Sequence, residues 1–210
     1  METFYKKVSL IGNTQVGKTC IVSQTVYGTF SNQLPTVSVS HENYEYIKGN
    51  QKIQFSIWDT AGQEQYRSLL PLYWTNADAI LLCFDLTDID SFNSLEEWMK
   101  TIHSRKEDCV LILIGNKLDL SDKIVIEQSK ADDFASRYGI AGYFQVSAKT
   151  GEGINFLWEF LAECPEMTKM DDSANTIRLT NSNNDSSSHH ENTSKNEGFF
   201  SNIFKYCSLS

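Results

Sequence analysis

Residues 12–19 read Gly12-Asn13-Thr14-Gln15-Val16-Gly17-Lys18-Thr19, with two glycines separated by four residues and followed by lysine and threonine. This spacing is typical of a phosphate-binding loop, because the glycines let the backbone curl until successive N–H groups point inward at an anion. Lys18 can reach the terminal phosphates, and the Thr19 hydroxyl can bind Mg²⁺. The predicted phosphate-binding residues here are Gly12, Thr14, Gln15, Val16, Gly17, Lys18, Thr19 and Cys20.

The segments on either side match the context that a phosphate loop requires. Residues 5–11 form a short, largely apolar run that predicts a strand, and residues 19–26 predict a helix. The positive end of such a helix points at the same anion. The alternative is a glycine turn that joins strand and helix without a ligand, and the strand–loop–helix order favours the phosphate loop. The loop alone does not choose between ATP and GTP.

Length and composition indicate one domain with some chain to spare. The chain has 210 residues, of which 40% are hydrophobic, and a net charge of −9. That charge argues against a nucleic-acid-binding protein, because no basic patch stands out to neutralise a phosphate backbone. The five cysteines are an odd number without paired spacing, and the N-terminus has no secretory signal, so we expect a reduced, intracellular chain. No apolar run approaches the ~20 residues of a membrane span.

Short apolar runs alternate with apolar residues at helical spacing. Residues 79–84 and 110–114 are continuously apolar, as in central parallel strands covered on both faces. Residues 44–57 predict a hairpin. We therefore predict an α/β fold in which a mostly parallel six-stranded sheet has five helices on its two faces and one antiparallel edge strand. Ligands of such folds bind at the carboxyl ends of the strands.

The last part of the chain differs in composition from the rest. Residues 173–196 contain 15 Ser, Asn or Thr among 24 residues, a composition that cannot bury enough apolar surface to offset the entropy of ordering. We place the end of the domain at Pro165. The predicted organisation is a domain of residues 1–165 and a disordered, hypervariable tail of residues 166–210.

Two further motifs suit phosphate chemistry. Asp59 follows an apolar run and can hold Mg²⁺ through water, Gly62 permits close approach to a γ-phosphate, and Gln63 can orient an attacking water. Taken singly, Asp59 also suits a helix N-cap and Gly62 a turn. In a loop that faces the phosphates, the Thr36 hydroxyl can complete the Mg²⁺ shell.

Two motifs near the end of the domain suit recognition of guanine. In Asn116-Lys117-Leu118-Asp119 the carboxylate can accept hydrogen bonds from the N1–H and the exocyclic amine of guanine, a donor pair that adenine lacks. In Ser147-Ala148-Lys149 a backbone N–H can meet the guanine carbonyl while Lys149 covers the ring. Asp119 alone also suits an ordinary loop acid, but the four-residue pattern is far more specific.

With these motifs in order, residues 5–164 resemble the Ras-like small GTPases. The resemblance rests on residues 12–19 and on WDTAGQE, NKLD and SAK, which begin at Trp58, Asn116 and Ser147. It implies a P-loop GTPase domain that switches between GTP and GDP with Mg²⁺, a guanine exchange factor, a GTPase-activating protein and effectors. It also implies that Phe30 packs against the guanine. We expect a monomer.

The resemblance leaves two branches open. WDTAGQEQYRSL from Trp58 and VSAKTGEGI from Val146 resemble Rab proteins, which regulate vesicle trafficking. Residues 35–37 and 69–73 are more similar to Rho proteins, which regulate actin and signalling, but only 27 residues separate Asp119 from Ser147 and the extra Rho helix is missing. We favour the Rab-like branch. A GTP-binding module with negligible turnover is a further alternative.

The chain ends with Cys207-Ser208-Leu209-Ser210. A cysteine fourth from the end suits a prenylation signal, and the alternative is an ordinary surface cysteine near the terminus. With the GTPase resemblance, we expect lipidation at Cys207 and attachment to the cytoplasmic face of internal membranes, in exchange with the cytosol.

Overall fold

The computed structural model describes residues 1–31, 39–60, 74–104 and 109–164. These residues form a six-stranded sheet in the order β2-β3-β1-β4-β5-β6. The elements, in chain order, are β1 (Glu2–Ile11), α1 (Lys18–Tyr27), β2 (Ser40–Lys48), β3 (Gln51–Asp59), β4 (Ala79–Asp85), α2 (Ile89–Asn93), α3 (Leu95–His103), β5 (Val110–Asn116), a 3₁₀ helix (Ser121–Lys123), α4 (Gln128–Tyr138), β6 (Gly142–Gln145) and α5 (Ile154–Glu163).

The sheet confirms the predicted α/β architecture. Strand β1 runs parallel to both β3 and β4, and the parallel pairing continues through β5 to β6. Strand β2 is antiparallel to β3, which makes the hairpin the antiparallel edge. Because the five parallel strands point the same way, their carboxyl ends lie along one edge of the sheet, where ligands of such sheets bind.

The central strands and α3 hold the core. Every residue of β4 is buried, as expected for a strand with helices on both faces. Helix α3 contributes buried residues at helical spacing to the same hydrophobic cluster: Leu95, Trp98, Met99 and Ile102. Apolar residues recur at helical spacing over residues 92–102, but this stretch belongs to two helices that meet at Ser94. The Ser94 hydroxyl donates to the carbonyl of Ser91, the local side-chain bonding that makes serine favour helix ends.

Two strands run slightly further than predicted, and this matters for the site. Asp59 and Asn116 were expected just after β3 and β5, and both are the last residues of those strands. Their side chains therefore project from the rigid edge of the sheet. Among the described residues, no helix has both the length and the apolar character needed to cross a membrane.

Candidate nucleotide-binding site

The loop after β1 adopts the conformation that its glycines permit. Gly12 has φ 139°, Gly17 has φ 93°, and Gln15 has φ 62°, so three residues of this loop lie in the left-handed region. A Cβ atom on Gly12 would stand 2.1 Å from the Cys83 carbonyl oxygen, and one on Gly17 would stand 2.3 Å from Asn116 Nδ2. Both positions therefore require glycine. The Gln15 side chain is exposed.

Lys18 is buried beneath this loop, with 5% of the residue exposed. Its Nζ donates to the carbonyl oxygens of Gly12 at 2.9 Å and Asn13 at 2.8 Å. Burial lowers the pKa of Lys18, while its electrostatic interactions with Cys83 and Asp59 raise that pKa to a smaller extent. An ammonium group has three N–H donors, so two hold the loop and the third remains for a phosphate oxygen.

Thr19 and Asp59 lie together beside the loop, as a Mg²⁺ site requires. The Thr19 hydroxyl donates to Asp59 Oδ2 at 2.6 Å. Asp59 Oδ1 is buried and has no hydrogen-bond partner among the described residues, and burial raises the pKa of this carboxyl group. A buried carboxylate oxygen without a partner is unfavourable unless a cation or water compensates it. These two oxygen-bearing side chains therefore fit Mg²⁺, which prefers hard oxygen ligands.

Asn116 joins the phosphate loop to the base-recognition motifs. Its Nδ2 donates to the Val16 carbonyl at 2.9 Å, and its Oδ1 accepts from the backbone N–H of Ala148 at 3.0 Å. The amide is 2% exposed. One side chain at the end of β5 thus fixes the distance between the loop after β1 and the loop after β6.

The Asp119 carboxylate is held by its neighbours. Ser147 Oγ donates to Asp119 Oδ1 at 2.7 Å, and Lys149 Nζ lies 3.7 Å from Oδ2. Lys117, which lies between Asn116 and Asp119 in the sequence, has φ 69°, and its ammonium group pairs with the Asp85 carboxylate. Each carboxylate oxygen has a second lone pair in its plane, so this arrangement orients Asp119 and leaves it able to accept further N–H donors.

The remaining predicted positions are divided between the described residues and the rest of the chain. Phe30 is 42% exposed just after α1, as a side chain that stacks on a ligand would be, and Cys20 Sγ lies 3.8 Å from the carbonyl oxygen of Ser31. The half-buried Thr14 lies in the loop itself. Other predicted residues lie outside the described ranges: Thr36, Gly62, Gln63 and Cys207.

Three residues around the site were not predicted. Asp85 ends β4 and binds Lys117, and its position after an apolar run was the kind of signal that identified Asp59. Trp98 and Asn13 share a hydrogen bond, but the spacing of Trp98 in its helix indicates only a core residue. Pairing between residues so far apart in the chain has no local signature.

Comparison with known proteins agrees with this geometry. A profile of the Ras family matches residues 7–165. Human Ras-related protein Rab-37 is 37% identical over 164 residues, which cover 77% of this chain and 72% of that protein. Human Ras-related protein Rab-30 is 35% identical over 161 residues, covering 76% of this chain and 79% of that protein. Rat Ras-related protein Rab-26 is 34% identical over 160 residues, covering 75% of this chain and 62% of that relative, which is less than two thirds of its length.

The profile match covers most of the chain, and the similarity to Rab proteins decides between the two branches that the motifs left open. The residues it spans include the strained loop, the buried lysine and the held carboxylate described above. The chain therefore belongs to the Ras family and is a Rab-like small GTPase.

Proposed function

We propose that this protein is a Mg²⁺-dependent GTP hydrolase that alternates between GTP-bound and GDP-bound states. The observation that carries the proposal is the arrangement around Asp119, whose carboxylate is held by Ser147 and Lys149 beside the backbone N–H of Ala148. A fixed carboxylate accepts the N1–H and amine of guanine. Against adenine its remaining acceptor sites are left unpaired, which makes ATP a poor ligand.

Each group in the proposed mechanism has one task. The backbone N–H groups of the loop and Lys18 bind the phosphates, with Lys18 positioned by two loop carbonyls. Thr19, Thr36 and Asp59 would hold Mg²⁺, Asp59 through water, and the bound cation would neutralise charge on the phosphates. Gln63 orients the attacking water, and Gly62 contacts the γ-phosphate. Phe30 and Lys149 cover the two faces of the base.

The wider role follows from family and tail together. As a Rab-like switch, the protein would cycle through an exchange factor and an activating protein, and would recruit effectors in its GTP form. We propose that it regulates vesicle trafficking from the cytoplasmic face of internal membranes, anchored by a prenyl group on Cys207. The tail of residues 166–210 would link that anchor to the domain.

Hydrolysis is tested with the purified chain loaded with GTP. We expect Gln63→Leu to slow single-turnover hydrolysis by roughly tenfold or more and to leave GTP affinity nearly unchanged, because the glutamine orients water rather than nucleotide. The exposed Gln51→Leu on β3 is the matched control. Equal hydrolysis in Gln63→Leu and the parent would refute the role of Gln63. A chain that binds GTP without turnover, alone and with an activating protein, would be a binding module.

The anchoring proposal is tested by imaging the chain in cells with a fluorescent tag at its N-terminus, since a tag at the other end would block Cys207. We expect vesicular or reticular membranes, and a diffuse signal for Cys207→Ser. Localisation to the plasma membrane or actin-rich protrusions would contradict the proposed trafficking role. A diffuse signal for both chains would refute lipid anchoring.

A further inference from the structure

A hydrogen bond links the phosphate loop to a helix outside the nucleotide-binding motifs. Trp98, on α3, donates its indole Nε1–H to Asn13 Oδ1 at 3.0 Å, across 85 positions of the sequence. Trp98 is 2% exposed, while Asn13 is half-buried. A buried indole N–H needs a polar partner, and here the partner is a side chain of the loop that surrounds the phosphates.

Asn13 is also one of the two residues that orient Lys18. Its backbone carbonyl accepts from Lys18 Nζ at 2.8 Å while its side chain accepts from Trp98. The position of Asn13 therefore sets the direction of the lysine ammonium. A chain of contacts runs from Trp98 through Asn13 to Lys18, whose third N–H is left for a phosphate oxygen of the proposed nucleotide.

The conformation of this loop needs such support. Gly12, Gln15 and Gly17 all have positive φ, and for the non-glycine Gln15 that conformation is unfavourable. Strained backbone persists only where surrounding contacts over-determine it. One supporting contact is the hydrogen bond from the Asn116 amide to the Val16 carbonyl. The other is the hydrogen bond from the Trp98 indole to the Asn13 side chain.

Helix α3 is a rigid base for this contact. Its buried face, which includes Leu95 and Met99 on either side of Trp98, lies in the hydrophobic core. On its other face, Glu96 accepts hydrogen bonds from Arg137 and Tyr138 of α4. The helix is therefore fixed on two sides, and the indole has little freedom to follow a displaced loop.

We propose that Trp98 and Asn13 are a pair of positioning residues that slow nucleotide release by holding Lys18 in its phosphate-binding orientation. This inference rests on the proposed nucleotide-binding function. Neither side chain contacts the reacting atoms in this account; Trp98 acts through Asn13, and Asn13 acts through its carbonyl.

The test measures dissociation of fluorescent GDP from the full chain in Mg²⁺ buffer, for Trp98→Phe, Asn13→Ala and the double variant. Trp98→Phe keeps an aromatic ring and removes the donor, and Asn13→Ala removes the acceptor on the loop. We expect each single variant to release GDP roughly 2- to 12-fold faster, the effect of losing one hydrogen bond. We expect the double variant to be no faster than the singles, because both remove the same interaction.

Trp158→Phe is the matched control. Trp158 is also buried, at 1% exposed, and its indole N–H donates to Thr25 Oγ1 at 2.9 Å. Thr25 lies near the end of α1 that is farther from the phosphate loop. This variant should lose similar thermal stability and leave GDP release unchanged. Equal acceleration by Trp98→Phe and Trp158→Phe would overturn the proposal, as would additive effects of the Trp98 and Asn13 substitutions. If the parent chain binds no GDP, the proposed function itself fails; if it binds GDP and the variants release it at the parent rate, only the positioning role fails.

Discussion

Two aspartates at the ends of the site differ in how many of their carboxylate oxygens have partners in the described residues. Asp119, on the base side, has Ser147 on one oxygen and Lys149 near the other. Asp59, on the phosphate side, accepts from Thr19 at one oxygen, and its other oxygen is buried with no hydrogen-bond partner in the part of the chain that the structure describes. The carboxylate of the proposed base site is thus oriented without a ligand. The phosphate side leaves part of its bonding capacity to be completed by the ligand and its cation.

This difference suggests separate roles for the two sides, base selectivity for one and Mg²⁺-dependent binding for the other. A preorganised acceptor gives selectivity, because a wrong base leaves it unpaired. An incompletely satisfied buried group is costly in the empty protein and is relieved on binding. We therefore expect substitutions on the base side to change which nucleotide binds, and substitutions at Asp59 to change how the bound nucleotide depends on Mg²⁺.

The largest expected effect is on the choice of base, for Asp119→Asn. The amide presents one acceptor and one donor group where the carboxylate presents two acceptors, so one guanine N–H loses its partner. We expect the preference for GTP over ATP to fall by roughly 100-fold or more, measured by competition with fluorescent GDP. Asp122→Asn, at an exposed acid in the neighbouring 3₁₀ helix, is the control. An unchanged preference would mean that the base is selected elsewhere.

An intermediate effect is expected for Asp59→Asn. The amide can still accept from Thr19 but holds Mg²⁺-bound water more weakly, and loss of an outer ligand partner typically costs ~10- to 100-fold in metal affinity. GDP release from this variant should respond to Mg²⁺ only at correspondingly higher concentrations. Asp133→Asn, on the exposed face of α4, is the control. An unchanged Mg²⁺ response would show that Asp59 does not contribute to Mg²⁺ binding.

The same substitution tests the cost of the unpaired oxygen in the empty protein. Burial raises the pKa of Asp59 above its ordinary value of 3.8, so the folded state binds this proton more tightly than the unfolded state. Stability must then fall as pH rises from the ordinary pKa through the raised folded pKa, since the unfolded state releases its proton first. We expect nucleotide-free Asp59→Asn to show a smaller fall in unfolding free energy than the parent as pH rises above the ordinary pKa, measured by denaturant titration in a chelator. A parallel dependence in both chains would refute this account.

Local sequence was enough to predict most of the elements and the position of the described motif residues at the strand ends. The continuous apolar run of β4 and the helical spacing of α4 and α5 each identify an element directly, because the pattern states which faces are buried. The motif residues were predictable since loops follow strand ends at one edge of the sheet. The break between α2 and α3 at Ser94 could not be predicted, because the apolar spacing continues across it.

The contacts that tie the site together could not be read from sequence. Asn116 was expected near guanine, and it joins Val16 to Ala148. This bridge depends on strand order, since β1 and β5 flank β4. Trp98 has the same apolar spacing as its core neighbours, and nothing local distinguishes an indole whose N–H reaches a loop. Such pairings are set by packing across the sheet rather than by propensity.

The smallest expected effect separates the presence of the Asp119 carboxylate from its orientation. Ser147 is fully buried; its hydroxyl donates to Asp119 Oδ1 and accepts from the Thr150 N–H. Ser147→Ala keeps the charge but removes one group that orients it, so we expect GDP affinity to fall only about 2- to 12-fold by equilibrium titration. The preference for GTP over ATP should fall far less than in Asp119→Asn.

Ser9→Ala, at a fully buried serine on β1, controls for the loss of a buried hydroxyl. If both serine variants lower GDP affinity equally, the change reflects stability rather than the base. If instead Ser147→Ala lowers the base preference as far as Asp119→Asn, orientation by Ser147 matters as much as the carboxylate itself. The base side would then resemble the phosphate side, where the Thr19 hydroxyl binds one oxygen of the Asp59 carboxylate. Among the described residues, the other Asp59 oxygen has no partner until a ligand binds.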